Sequence, residues 1–205
     1  VMGRAAAAVK ARLRDLSQYR GFARYLQGTD TSVKLENDLI AVDLSTKGGM
    51  IARAELKKYD SYRGGNVVVC NKDNDNYSFI LNSTDREFDT RDFYFTPVQE
   101  SDSTVLMSLD LGGGASFGLR YTLAPDSYVV KLDVVQKGME SVIPSSVVTM
   151  DFLWHQKMIR QEKGRMFEER NSAIYYKYAG GSVEKLSEAK NDDEEVNELS
   201  LIHIS

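Results

Sequence analysis

The chain has 205 residues, which suits one ordinary domain or a large β domain with appendages. Hydrophobic residues make up 42% of it, enough for a packed core, and the net charge of -4 argues against a nucleic-acid binder that relies on phosphate contacts. Cys70 is the only cysteine, and His155 and His203 are the only histidines. An intramolecular disulfide is therefore excluded, and neither a cysteine-based nor a multi-histidine metal site is expected.

Residues 1–26 are basic and differ from the rest of the chain. Their alanines and leucines give fair helix propensity. Two interpretations stay open: a basic helix that lies near an anionic membrane surface, or a poorly ordered terminus. No stretch approaches the roughly 18 apolar residues of a membrane-spanning helix, and the apolar run at 5–9 is too short for a secretory signal. The charged residues of this segment are Arg4, Lys10, Arg12, Arg14, Arg20 and Arg24 against Asp15.

From residue 31 onward, apolar side chains alternate with polar ones, which predicts strands. The runs 40–44 and 50–56 each place their apolar side chains on one face. Turn-forming residues separate many such runs at regular spacing, so the sequence predicts an all-β, mainly antiparallel sandwich with short helical segments at the termini. The further predicted strands are 66–70, 77–81, 92–96, 104–111, 116–123, 128–137, 147–155 and 173–178.

Two glycine-rich stretches, Lys47-Gly48-Gly49 and Gly112-Gly113-Gly114, separate alternating runs. Gly48-Gly49 is not followed by the helix and the Lys-Ser/Thr pair of a phosphate-binding loop. Glycine adopts positive φ without steric cost, so both stretches are predicted to be bends between strands.

Two polar stretches lie near the C-terminus. Residues 156–170 predict a loop or a short helix, and the acidic stretch 182–198 predicts a solvated loop or a frayed helix. His203 falls in a tail that looks irregular.

Residues suited to catalysis are few. The chain has no Gly-x-Ser-x-Gly elbow and no His-Glu-x-x-His pair. His155 could act as a general base with Asp151, but strand residues four apart are separated by more than about 10 Å. No catalytic, cofactor-binding or metal site is predicted, and the chain is not expected to be an enzyme.

Aromatic residues offer candidate binding positions. The run Phe93-Tyr94-Phe95 and a second run around Tyr176 would send rings to both faces of a strand, and Trp154 lies near the end of another. One face would pack the core, and the other could line a groove for an extended apolar chain or a sugar. The candidate cleft residues are Phe93, Phe95, Trp154 and Tyr176.

Five longer stretches carry a more specific signal: YLQGTD (25–30), VKLENDLIAVDLSTKGGMIARAELKKYDSY (33–62), DFYFTP (92–97), YTLAPDSYVVKLDV (121–134) and RQEKGRMFEERNSAIYYKYAGGSVEKLSE (160–188). In order and spacing, they resemble the large periplasmic domain of the YidC family of bacterial membrane protein insertases, above all in its Bacteroidetes version. The resemblance covers about residues 25–195. LENDL…LSTKGG and QEKGR…IYYKY are its most specific parts.

The resemblance implies a β-super-sandwich similar in shape to galactose mutarotase. It implies a role in the insertion and folding of inner-membrane proteins, alone or with the Sec translocon, in which no bond is made or broken. The expected partners are Sec components and nascent membrane proteins, and no nucleic acid. The expected location is the bacterial inner membrane, with this domain in the periplasm.

Both ends depart from the family pattern. Residues 1–20 do not look like the usual linker, and LSLIHIS (199–205) does not match the strand with Trp and Phe that should follow the acidic loop. The family's transmembrane segments and groove arginine are not in the sequence, so no insertase residue is carried over. The chain is expected to act as a binding and positioning fragment, with membrane association through segments outside it. The predicted organisation is a basic segment 1–26, a C-terminally incomplete periplasmic β-sandwich domain 27–198, and a non-matching tail 199–205.

An alternative from another class is a sugar-binding or mutarotase-like carbohydrate-active domain. It would use Trp154, His155 and nearby carboxylates in a sandwich cleft. Because fold does not imply function, the mutarotase-like shape alone does not favour it. A structural spacer without a ligand is a third possibility.

Overall fold

The structure is a computed structural model that describes residues 19–83, 86–144, 146–147, 150–178, 181–186 and 199–204. Strands dominate these residues and pair in antiparallel fashion, which confirms the predicted all-β class. The chain divides into two units. Unit 1 comprises Val1–Tyr59 and Asn66–Ile159, and unit 2 comprises Asp60–Gly65 and Arg160–Ser205. The mutarotase-like shape and the three-part organisation stay predictions.

The first sheet of unit 1 contains β1 (Ser32–Glu36), β2 (Ile40–Ser45), β3 (Ile51–Asp60) and β4 (Asn66–Asn71), in the order β1-β2-β3-β4. The alternating sequence of β2 explains the burial pattern of this strand. Its large apolar side chains point to the core, and the residues between them are more exposed. A short turn joins β1 to β2. The side-chain oxygen of Asn37 holds this turn by accepting hydrogen bonds from the N–H groups of Leu39 and Ile40.

The second sheet contains β7 (Thr96–Ser101), β8 (Thr104–Gly112), β9 (Ala115–Leu123) and β10 (Val130–Lys137), in the order β10-β9-β8-β7. The glycine run at 112–114 lies at the turn between β8 and β9, which confirms the predicted hairpin bend.

The third sheet contains β5 (Asp75–Asn82), β6 (Glu87–Asp89) and β11 (Asp151–Gln156), in the order β11-β5-β6. β11 comes much later in the sequence than β5. Each of its residues pairs with a residue of β5, from Asp151 with Ile80 to Gln156 with Asp75. The predicted strand 147–155 therefore begins four residues later than the sequence pattern indicated.

An aromatic cluster anchors residues 19–25 to the core of unit 1. This segment contains the 3-10 helix Arg20–Tyr25, and its Phe22 is fully buried. The Phe22 ring stacks on Phe93 at 4.8 Å and lies 4.9 Å from Phe88. Aromatic pairs of this kind add stability beyond the area that they bury. This part of the basic segment is therefore a packed element of the domain. The remaining residues, 1–18, lie outside the described residues.

The prediction of a strand at 92–96 is wrong, because of these residues only Thr96 belongs to a strand, β7. The 3-10 helix Thr90–Asp92 precedes an irregular segment, and only Tyr94 forms an isolated bridge, with Lys47. Asp89 starts the helix by accepting a hydrogen bond from the N–H of Arg91 at 2.8 Å. A local cap thus overrides the strand propensity of the aromatic run.

Lys47-Gly48-Gly49 joins β2 to β3, as predicted. Gly48 and Gly49 have φ of 77° and 68°, values that favour glycine. A hydrogen-bond chain through two buried tyrosines closes the bend. The N–H of Ile51 donates to the hydroxyl of Tyr77 at 2.9 Å, the Tyr77 hydroxyl donates to that of Tyr121 at 2.7 Å, and the Tyr121 hydroxyl donates to the Gly49 carbonyl at 2.8 Å. The direction of the middle bond follows because the Tyr121 proton is already used.

Unit 2 contains the helix α1 (Arg165–Asn171) and a sheet of β12 (Ile174–Tyr178), β13 (Val183–Lys185) and β14 (Leu199–Ile204), in the order β13-β12-β14. The helix agrees with one of the two alternatives, a loop or a short helix, that were predicted for the polar stretch 156–170. The expectation of an irregular tail around His203 is wrong, because β14 pairs with β12 in antiparallel register. The expected loop or frayed helix at 182–198 is also wrong at its start, where β13 forms. Residues 187–198 lie outside the described residues.

Candidate binding edge

β11 is an outer strand of the third sheet, with β5 as its neighbour. In an antiparallel pair, alternate N–H and C=O groups of an outer strand point away from the sheet, where another strand can pair with them. Five of its six residues are exposed, and Gln156 is half-buried. Three of the exposed side chains are large and apolar: Phe152 at 41%, Leu153 at 47% and Trp154 at 38%. We name these three residues the apolar edge.

The other outer strands of unit 1 are protected or poorer in exposed apolar side chains. β7 contains Pro97, which has no N–H to donate, and the charged Glu100. β10 carries Lys131 and Asp133, and of its side chains only Val134 is a large exposed hydrophobic. β4 is apolar, but of its side chains only Val69 is a large exposed hydrophobic. Among the described strands of unit 1, β11 therefore offers the broadest apolar edge.

Cross-strand packing holds the apolar edge in place. Phe152 lies opposite Phe79, and Trp154 lies opposite Tyr77. The Phe152 ring is 5.0 Å from that of Phe79 and 6.1 Å from that of Trp154. Since Phe79 and Tyr77 are buried, these two β11 rings extend the core to the surface. Leu153 points to the opposite face of the sheet because side chains alternate along a strand.

Asp75 fixes the orientation of the Trp154 ring. The indole Nε1–H of Trp154 donates to Oδ1 of Asp75 at 2.8 Å. Burial raises the pKa of Asp75 above its usual value, while hydrogen bonds from Trp154 and Cys70 act in the opposite direction. Burial, together with the charge of Asp75, raises the pKa of the Cys70 thiol to about 12. Cys70 therefore stays a protonated, unreactive thiol at neutral pH.

Two hydrogen bonds between Asn74 and Lys157 hold the chain where it leaves β11. The N–H of Lys157 donates to the carbonyl of Asn74 at 2.6 Å, and the Asn74 amide donates to the carbonyl of Lys157 at 2.9 Å. The same Asn74 accepts a hydrogen bond from the N–H of Asn71 at 2.6 Å, which shapes the turn before β5. β11 is therefore fixed at its C-terminal end and does not depend on an added strand to stay in place.

The four candidate cleft residues lie in different structural settings. Phe93 and Phe95 lie in the core of unit 1, 0% and 3% exposed. Trp154 belongs to the apolar edge, and the half-buried Tyr176 lies on β12 in unit 2. Two surface pockets border β10 and the segment 139–147, and none of these four residues lines them. A binding role is proposed below for Trp154.

The described residues lend little to catalytic chemistry. Trp154 and His155 are adjacent on a strand and point to opposite faces, so they do not face one sugar ring together. No group of three or more His, Cys, Asp or Glu side chains among the described residues is placed to hold a metal ion. None of the described helices is long and apolar enough to cross a membrane.

Phe152 and Leu153 were missed by sequence reasoning. Alternation of apolar and polar residues predicts a half-buried strand, and the consecutive apolar run Phe152-Leu153-Trp154 breaks this alternation. Such a run is typical of a strand buried on both faces, yet here both faces are exposed. The combination of an apolar run and an outer position can be recognised only when the sheet order is known.

The fold is an antiparallel β domain, and the apolar edge lies on one of its outer strands. The chain belongs to the YidC periplasmic domain family, whose sequence model matches residues 32–200. This match confirms the resemblance that the sequence motifs carried. The family's description also assigns the domain to the periplasm.

Similar proteins from several bacteria carry the name membrane protein insertase YidC. The chain is 38% identical to that of Parabacteroides distasonis over 85% of this chain and 28% of the relative. It is 35% identical to that of Porphyromonas gingivalis over 92% and 30%, and 31% identical to that of Bacteroides fragilis over 86% and 29%. The chain therefore spans less than a third of the length of these curated relatives. No solved structure matches it significantly.

Proposed function

We propose that this chain is the periplasmic binding module of a membrane protein insertase and that β11 binds extended apolar segments of polypeptide. The exposed apolar edge carries the proposal, and the name of the relatives supports its insertase part. The proposed occupants are segments of nascent membrane proteins, which are rich in apolar side chains. Components of the Sec translocon are proposed as further partners of the same module.

The bound segment would add a strand to the third sheet. Its backbone would pair with the outward N–H and C=O groups of β11, which gives affinity, while its alternate side chains give specificity. Its alternate side chains would meet Phe152 and Trp154 on one face and Leu153 on the other. No bond is made or broken in this process. The module holds an apolar segment extended and keeps its backbone hydrogen bonds satisfied outside the bilayer.

Trp154 makes the proposal directly measurable because it is the only tryptophan of the chain. Its emission should shift to shorter wavelength when an added strand removes water from the ring. The titration uses a short peptide with alternating apolar and polar residues. The control ligand is a peptide of equal composition with the alternation scrambled. A saturable shift with the first peptide and a much weaker one with the second is expected.

A matched pair of variants tests the position of the bound strand. Leu153→Lys places a charge at the β11 edge while leaving the Trp154 side chain unchanged. This variant should weaken binding of the alternating peptide by about tenfold, the equivalent of roughly 1.4 kcal/mol. Val98→Lys makes the same charge change on the outer strand β7, where Val98 is 45% exposed against 47% for Leu153, and should leave binding unchanged. Equal weakening by both variants, or no saturable shift with the unaltered chain, would refute binding at β11.

A further inference from the structure

Two arginines of unit 2 converge on one tyrosine. The hydroxyl oxygen of Tyr62 accepts a hydrogen bond from Nε of Arg63 at 2.8 Å. The same oxygen accepts two from Arg160, from Nη2 at 2.5 Å and from Nε at 3.1 Å. Both guanidinium groups also lie over the Tyr62 ring, at 5.3 Å for Arg63 and 4.9 Å for Arg160. We name these three side chains the arginine–tyrosine cluster.

Backbone hydrogen bonds bring the cluster together from distant parts of the chain. The N–H of Tyr62 donates to the carbonyl of Gln161 at 3.1 Å, which places Arg160 beside Tyr62. A turn closed by the N–H of Ser61 and the carbonyl of Gly65, 2.9 Å apart, presents Tyr62 and Arg63 to solvent. The cluster is therefore held by main-chain contacts and not by its side chains alone.

Among the described residues, neither Arg63 nor Arg160 forms an ion pair with a carboxylate. Arg165 of the same unit shows the ordinary arrangement, since its Nε lies 2.7 Å from Oε1 of Glu169. Two positive charges that share one neutral acceptor repel each other, and an anion between them would remove this repulsion.

We propose that the arginine–tyrosine cluster binds a phosphate group. Guanidinium groups present planar, paired N–H donors that match phosphate oxygens, and both arginines have N–H groups not used by Tyr62. The hydroxyl of Tyr62 accepts from both arginines, so its own proton is left to donate to the same anion. The phosphate belongs either to a lipid headgroup or to a soluble phosphate compound. The site is independent of the peptide binding proposed for β11.

The electrostatics of Tyr62 agree with this geometry. Hydrogen bonds from Arg160 and Arg63 lower the pKa of Tyr62 below its usual value. A phenol whose pKa is lowered donates a stronger hydrogen bond, which suits an anionic acceptor.

The first experiment titrates the full chain with inorganic phosphate, followed by calorimetry or by phosphorus NMR. The variant Arg63→Gln/Arg160→Gln removes both charges of the cluster. The control Lys163→Gln/Arg165→Gln removes two positive charges from the same unit outside the cluster. Saturable binding should weaken by about tenfold or more for each arginine removed, as expected for hydrogen bonds to a charged group, and should persist in the control. Circular dichroism checks that each variant is folded.

A third variant, Tyr62→Phe, keeps both charges and removes only the shared hydroxyl. It should bind phosphate more weakly than the unaltered chain, which general attraction between charges does not explain. This variant also keeps the test decisive if the double arginine variant does not fold.

The second experiment identifies the source of the phosphate by sedimentation with vesicles of phosphatidylethanolamine and phosphatidylglycerol. Vesicle binding that the cluster variant loses and the control keeps assigns the site to a lipid headgroup. Binding of inorganic phosphate without vesicle binding assigns it to a soluble phosphate compound. The proposal is overturned if the unaltered chain binds neither, or if the cluster and control variants lose binding equally.

Discussion

Replacing Tyr121 by phenylalanine removes one hydroxyl from the middle of the hydrogen-bond chain that closes the Lys47-Gly48-Gly49 bend. The Tyr121 side chain is fully buried, so water cannot take the place of the lost hydroxyl. Two groups lose their partners: the Gly49 carbonyl, which accepts from Tyr121, and the Tyr77 hydroxyl, which donates to it. The ring stays, so the packing of the core changes little.

The expected cost follows from these two groups. A buried polar group left without a partner costs about 1–3 kcal/mol, so the loss of two partners in Tyr121→Phe should lower the free energy of unfolding by about 2–6 kcal/mol. The companion variant Tyr77→Phe leaves the N–H of Ile51 unpaired, and the Tyr121 hydroxyl still donates to Gly49. It should cost about 1–3 kcal/mol. Both variants remove the same bond between the two hydroxyls, so their costs should not add.

Urea unfolding followed by circular dichroism and by Trp154 emission measures the four members of this double-mutant cycle. Trp154 lies opposite Tyr77 across β5 and β11, so its emission reports on the same region. The double variant should be more stable than the sum of the single losses predicts, by at least about 0.5 kcal/mol. Additive losses would show that the two hydroxyls act independently and would refute the chain of hydrogen bonds.

Two further predictions concern Asp75 and the glycine bend. Because burial raises the pKa of Asp75, this carboxyl stabilises the fold below its unfolded pKa, and the contribution is lost as pH rises through the folded pKa. Asp75→Asn keeps an acceptor for Trp154 and should be at least as stable as the unaltered chain in urea unfolding at pH about 7. Any gain in stability should disappear at pH about 3. A large loss of stability at neutral pH would contradict the expected direction of the pH dependence. Gly48→Ala should cost about 1–2 kcal/mol for its left-handed backbone, and Gly49→Ala should cost more because its Cβ would also lie 3.0 Å from the Phe95 ring. Thermal unfolding of the two alanine variants checks this order, and a smaller loss for Gly49→Ala would contradict it.

Local sequence signals determined most of the strands and both glycine bends. Alternation places apolar side chains on one face of a strand wherever that strand covers a core, so β2, β8 and β9 were predictable from the residues alone. Glycine clusters mark positions that need positive φ, a property of the backbone that does not depend on distant contacts. The same local motifs sufficed to identify the family, because family membership is a property of the order and spacing of residues.

Tertiary structure decided where the proposed binding groups lie. The aromatic run at 93–95 satisfies the strand pattern, yet the cap from Asp89 and the stacking of Phe93 on Phe22 place it in an irregular, buried segment. Trp154 finds its partner Asp75 on another strand, 79 residues away. Sequence periodicity describes only residues close together along the chain and cannot predict such distant pairs.

The apolar edge and the arginine–tyrosine cluster both depend on contacts between residues far apart in sequence. Whether Phe152 is core or surface depends on the sheet order, which makes β11 an outer strand. Arg63 and Arg160 are 97 residues apart, and only the main-chain bond between Tyr62 and Gln161 brings them to one oxygen. The sequence by itself determined the strands, the bends and the family, because these depend on local backbone preference and residue order. Only the tertiary structure determined that β11 is an exposed outer strand and that Arg63 and Arg160 share the hydroxyl oxygen of Tyr62. Both features depend on contacts between residues far apart in sequence.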